Sequence, residues 1–180
     1  MFNTEIIILI HKLQNIVISL ITIVLLAACN RDTPILEQMD MAENILNTKP
    51  DSALTILENI PVTNIKGKEI KAKYALLKSM ALDKSYIDTT TFDVLQSAID
   101  YYIKKGSPDE KLRTYYYQGR IYQNQGDDDS AMRSFMNGCD LKQEVTDSLL
   151  LAHTLVAQGT LYLKQYKICL LYTSDAADEL

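Results

Sequence analysis

Residues 112–145 constrain this chain more than any other stretch. They read LRTYYYQGRIYQNQGDDDSAMRSFMNGCDLKQEV, and Gly126-Asp127 divides them into two helix-length segments. Tyr115, Gly119 and Tyr122 fall at fixed offsets on the first segment, and Ala131, Phe135 and Gly138 on the second. A small residue facing a large one lets two antiparallel helices approach closely and interlock. One such hairpin cannot bury its apolar stripe alone, so the pattern demands helices before and after it.

At these offsets the segment resembles one tetratricopeptide repeat, with Tyr115 where that family usually has Trp. Gln118 replaces the usual Leu, and Gln143 stands where Pro is common. The resemblance spans about residues 35–167 and is clearest in the central hairpin. It implies an all-α fold in which antiparallel helical hairpins stack as a TPR-like α-solenoid over residues 34–168.

The rest of the chain is read against that expectation. Its 180 residues are 47% hydrophobic and 23% charged with 6 Gly and 4 Pro, which suits one helix-rich domain. No strand-like alternation flanked by turn dipeptides appears. The formal charge of −5 argues against nucleic-acid binding, because phosphate recognition wants a basic face.

The start of the chain has the pattern of an export signal. His11-Lys12 precede an apolar run from Ile16 to Leu26, which closes on Leu26-Ala27-Ala28-Cys29. A short apolar core followed by small residues is what a signal peptidase reads. The tetrad resembles the lipobox of bacterial lipoproteins. That resemblance implies a signal over 1–28, an acylated Cys29, a short tether at 29–33, and a lipid-anchored position in the cell envelope, on the periplasmic or cell-surface face. Several acyl chains hold a bilayer stably where one gives marginal binding. An uncleaved transmembrane anchor is the alternative, since Ile6 to Ile10 adds apolar residues upstream.

Helical pairs follow. Thr33 caps and Pro34 opens a helix carrying Ile35, Met39, Ala42 and Leu46; Pro50 opens a second with Ala53, Leu54, Leu57 and Ile60, stopped at Pro61. A third begins near Glu69, with Tyr74, Leu77, Ala81 and Leu82 on one stripe. After a long connection, Thr90 to Asp93 has capping-box spacing for a helix carrying Val94, Ala98, Ile99 and Tyr102. Gly106 is placed to end that helix in a left-handed conformation, and Ser107-Pro108-Asp109-Glu110 to start the next. Beyond Val145, Leu151, Leu155, Gly159 and Tyr162 repeat the large–small–large series, with Gly159 lying 40 residues after Gly119. This last repeat has a first helix and no second.

The string CLLYTSDAADE at 169–179 resembles the translation of a sequencing-library adapter, which implies a non-native tail over 169–180. Its Asp175, Asp178 and Glu179 hold three of the five net negative charges, and Glu5 and Lys12 cancel, so 29–168 carries only two. The argument from acidity then nearly vanishes.

Catalytic candidates are thin. His153 stands alone on a helix with no nucleophile spaced to pair with it. Asp127-Asp128-Asp129 lacks the alternating acids, central Gly and terminal Glu of a calcium loop, and suits a helix N-terminus instead. The cysteines at 29, 139 and 169 show no metal spacing. No metal, cofactor or enzymatic activity is expected.

Arg113, Tyr116, Arg120, Gln123 and Asn124 share the side that resembles the family's concave groove, where a protein or peptide partner would lie. Arg offers a forked donor, Tyr a flat apolar surface and Asn a pair of backbone-matching groups. The same residues also suit a merely solvated face. The expected function is a membrane-anchored scaffold for a protein partner. The alternative is the exported sensory or regulatory arm of a longer protein with downstream transmembrane and DNA-binding regions.

Overall fold

A computed structural model of the chain describes residues 12–19 and 33–178, with side chains described at 12–19 and 34–166. Backbone proximity divides the chain into two units, 1–37 and 38–180. In the first, residues 12–19 form a helix, α1, whose side chains are exposed. The remaining helices are α2 (Thr33–Ile45), α3 (Pro50–Glu58), α4 (Lys68–Lys84), α5 (Gln96–Lys105), α6 (Pro108–Gln125), α7 (Asp128–Cys139) and α8 (Ser148–Asp178). No strand occurs among the described residues, so the fold is all-α. None of the described helices is long and apolar enough to cross a membrane. Cys29, most of the expected signal and the tether lie outside the described residues, as do the side chains of the 169–180 tail.

In the second unit each helix from α3 onward packs on the next in sequence, and the even helices also adjoin one another, α4 on α6 and α6 on α8. The result is two layers: α4, α6 and α8 side by side, with α5 and α7 behind them. α4 has neighbours on three sides, and Ala72, Tyr74, Ala75, Leu76, Leu77, Ser79, Ala81 and Leu82 are all buried. One stripe was expected there; a helix enclosed by others must instead be apolar around most of its circumference.

The starts of these helices follow from local chemistry. Pro50 and Pro108 occupy first-turn positions where a missing N–H costs nothing. At α6 the capping box forms: the Glu110 amide donates to Ser107 Oγ at 3.3 Å, and the Ser107 amide to Glu110 Oε2 at 2.7 Å. Asp127 caps α7 by accepting from the Ser130 amide, and Asp147 caps α8 by accepting from Leu150. Gly126 closes α6 at φ 79°, the left-handed conformation that glycine adopts without steric cost.

Two boundary expectations are corrected. α5 starts at Gln96 rather than at the Thr90 box, because the amides of Leu95 and Gln96 both fold back onto the Phe92 carbonyl. The Thr90 carbonyl accepts instead from the Gln125 side chain of α6 at 2.7 Å, and Val94 belongs to the turn. Gly106 is extended, with φ −70° and ψ 158°, not left-handed. Glycine is required there by proximity: a Cβ would lie 2.7 Å from the Tyr102 carbonyl oxygen.

The helix starts also reveal a regular period. Gly67, Ser107 and Asp147 precede α4, α6 and α8, a constant step of 40 residues. The long connector moves while the period holds: between α4 and α5 in one hairpin, between α7 and α8 in the next. In this register Ser79, Gly119 and Gly159 are equivalent, as are Tyr74, Thr114 and Thr154, all three buried.

Ser79 is the variant member of the small-residue series, and its hydroxyl is buried with no hydrogen-bond partner. A buried unpaired hydroxyl costs about 1–3 kcal/mol. Ser79→Ala, which keeps the volume nearly unchanged, should therefore stabilise the protein by about 1 kcal/mol in urea denaturation. A variant less stable than the parent would contradict that account.

Candidate partner-binding face

The even-helix face is organised by long-range ion pairs. Arg113, near the start of α6, is half-buried between acids from two other helix regions: Nη1 lies 3.6 Å from Glu43 Oε1 of α2, and Nη2 3.3 Å from Asp147 Oδ2 at the start of α8. Lys73 of α4 pairs with both Asp40 and Glu43 of α2. Burial works against the Lys73 charge, but the hydrogen bond to Asp40 and the nearby Glu43 outweigh it and raise its pKa. Isolated surface pairs contribute little, but here four elements share one network, so the charges fix register between helices.

Two openings meet at His153. One, of about 140 Å³, is lined by Glu43, Met80, Lys84, Arg113, Tyr117 and His153 among others. The second, of about 260 Å³ and shallower, lies between α6 and α8 against Tyr116, Arg120, Gln123, His153, Val156 and Thr160. His153 lines both. In the 40-residue register it is the counterpart of Arg113, and Lys73 is the counterpart on α4, so Lys, Arg and His occupy one position on α4, α6 and α8. The sequence held this signal, but a lone histidine read without the period looked incidental.

The five residues expected at the groove are therefore divided. Tyr116, Arg120 and Gln123 line the second opening and Arg113 the first. Asn124 does not share either; its side-chain amide donates to the Thr89 carbonyl at 3.1 Å and ties down the α4–α5 connector. Arg120 Nε donates to Asp83 at 2.9 Å and Nη1 to Gln123 at 3.0 Å. Burial opposes the Arg120 charge, yet the bond to Asp83 keeps its pKa above the ordinary range. Burial pushes the Tyr116 phenol up, helped by Asp83 and offset by Arg120, so its hydroxyl stays protonated and able to donate.

On α4 the 40-residue register places Lys73, Leu76, Met80, Asp83 and Lys84 at the positions equivalent to these five.

The repeat-packing residues meet as the offsets required. A Cβ placed on Gly119 would fall 2.7 Å from Phe135 Cδ1 and Cζ, so the ring lies directly on the glycine backbone. Ala131 and Phe135 are fully buried and Gly138 lies against Leu112 and Tyr115. Tyr115 and Tyr122 are half-buried at this contact, and the tyrosine enclosed in the core is Tyr117, packed with Leu76, Leu95 and Ala98 toward α4 and α5. Cys139 is half-buried, its thiol 3.8 Å from Gln158 Oε1.

The α8 end of the face is clamped by Asp109. Its carboxylate accepts from Thr146 Oγ1 at 2.6 Å, from the Thr146 amide at 2.8 Å and from the Asp147 amide at 3.0 Å. These bonds, the Thr146 hydroxyl foremost, hold the Asp109 pKa below the ordinary carboxylate value. A depressed folded-state pKa contributes stability that is complete above the unfolded value and lost as pH falls through the folded one. Asp109→Ala should cost about 1 kcal/mol at pH 7, and the gap from the parent should close below about pH 4. A gap of equal size at acid pH would show that the carboxylate charge plays no part. Compared with protein-family models, with curated proteins and with solved structures, the chain matches none.

Proposed function

We propose that this chain is an exported TPR-like α-solenoid, held at a membrane through acylated Cys29, whose even-helix face binds a peptide or protein partner. The observation that carries the reading is the pair of openings that share His153, one lined by Arg113 and the other by Tyr116, Arg120 and Gln123. They place forked donors, a phenol and an amide along one continuous strip of α6 and α8. Such groups suit the carbonyls and carboxylates of an extended peptide. The charge network beneath them holds the strip rigid, which limits the ordering cost of binding. No step of this function needs a cofactor or a bond-breaking residue, and the position is the periplasmic or cell-surface side of the cell envelope.

The test uses a photo-reactive amino acid at His153, with one at exposed Asn59 for comparison. A discrete partner should crosslink at 153 and not at 59. Equal or absent crosslinking at both would remove the groove assignment. The anchor is tested apart from it: Cys29→Ser should abolish lipid labelling and leave the precursor uncleaved, and unchanged processing would defeat the lipobox reading.

A further inference from the structure

The 40-residue register makes the outer side of α8 a copy of a surface whose occupant is visible elsewhere in the same molecule. On α6 the positions Tyr115, Gly119 and Tyr122 are covered by α7, with Phe135 seated on Gly119. On α4 the equivalent Ala75, Ser79 and Leu82 are buried, and α5 packs there with Ala98 and Tyr102. On α8 the same positions are Leu155, 52% exposed, Gly159, and Tyr162, 55% exposed. Among the described residues, nothing comes within 4 Å of a Cβ built on Gly159. Leu163 and Tyr166 extend the exposed apolar strip along the helix.

The two covering helices share one pattern, an alanine followed four residues later by an aromatic ring: Ala98 and Tyr102 in α5, Ala131 and Phe135 in α7. The alanine allows close approach and the ring fills the notch over the small residue of the partner helix. A second copy of α8 does not carry this pattern over its described side chains, since Tyr162 follows Gln158 and Tyr166 follows Tyr162 at that spacing.

We infer that the Leu155–Gly159–Tyr162 side of α8 is a docking site for one amphipathic helix of the α7 kind, presenting Ala-x-x-x-aromatic with the ring over Gly159. This surface is separate from the openings beside His153 and goes beyond the peptide-binding reading. The site is read by shape and apolar area rather than by charge.

The probe is a helix-stapled peptide of residues 127–141, titrated against the full chain by fluorescence anisotropy. Stapling is needed because a free helix of this length is marginal in water. Saturable one-to-one binding is expected, weakened at least tenfold by Gly159→Leu in the protein and equally by Phe135→Ala in the peptide. Gly159→Leu should leave the circular dichroism unchanged, since open space surrounds the position; Tyr162→Ala serves as a second variant of the same surface. Absence of saturation, or equal binding to the parent and both variants, would overturn the inference. So would a dimer of the chain that excludes the peptide and is broken by Gly159→Leu, because the occupant would then be a second copy.

Discussion

Phe135→Ala should lower the unfolding free energy by about 3–5 kcal/mol, the loss typical of a fully enclosed aromatic ring. The ring touches Gly119, stacks obliquely on Tyr116 with centroids 6.0 Å apart, and shares a cluster with Ala131, Met132 and Leu161. Its removal opens a cavity at the centre of the α6–α7–α8 contact, and the Gly119 backbone cannot move in to close it. Urea denaturation measures the loss. Hydrogen exchange adds a second readout, because stacked hairpins interact mainly with neighbours. Protection should fall most in α6, α7 and α8 and least in α3. A loss below about 1 kcal/mol would mean that the site collapses, as loosely packed cores do.

The converse substitution, Gly119→Leu, should destabilise by about 3 kcal/mol, at the upper end of overpacking costs. Glycine in a helix interior is normally unfavourable by about 1 kcal/mol relative to alanine, so leucine begins with a propensity advantage. The Phe135 ring cancels it, because the first added carbon already falls within contact distance. Thermal unfolding of Gly119→Leu alone and with Phe135→Ala forms a double-mutant cycle. The second change should recover part of the first loss, giving a coupling of about 1–3 kcal/mol. Purely additive losses would show that Phe135 does not set the glycine requirement. At Gly159, where no ring of the described residues lies overhead, the same leucine should be tolerated.

Much of this architecture was legible because its signals are local. Ser107, Pro108 and Glu110 define a helix start within four residues, Gly126 defines an end, and the Tyr115–Gly119–Tyr122 series defines a contact face. What escaped depends on residues distant in sequence. Gln125 and Asn124 hold the connector before α5 from another helix, through the Thr90 and Thr89 carbonyls. Arg113 looked available for a ligand, yet its partners Glu43 and Asp147 lie on separate elements. Tyr117 was passed over because three consecutive tyrosines share a type, and only the position of α4 and α5 decides which one is enclosed. On α4 the groove positions depend on where the helix starts: a register shift of one residue exchanges Lys73 for Ala72. A helix face turns about 100° per residue, so one step is sufficient to replace one surface by another.

The constant step between Gly67, Ser107 and Asp147 has a metric consequence. Packed helices lie about 8–10 Å apart, and an extended peptide advances about 3.3 Å per residue. A strand laid across α4, α6 and α8 would therefore present about every third residue to Lys73, Arg113 and His153 in turn. Because the connectors absorb every change in length, the helix starts keep a constant 40-residue step, and for such a strand the face would act as a ruler whose divisions are helix axes.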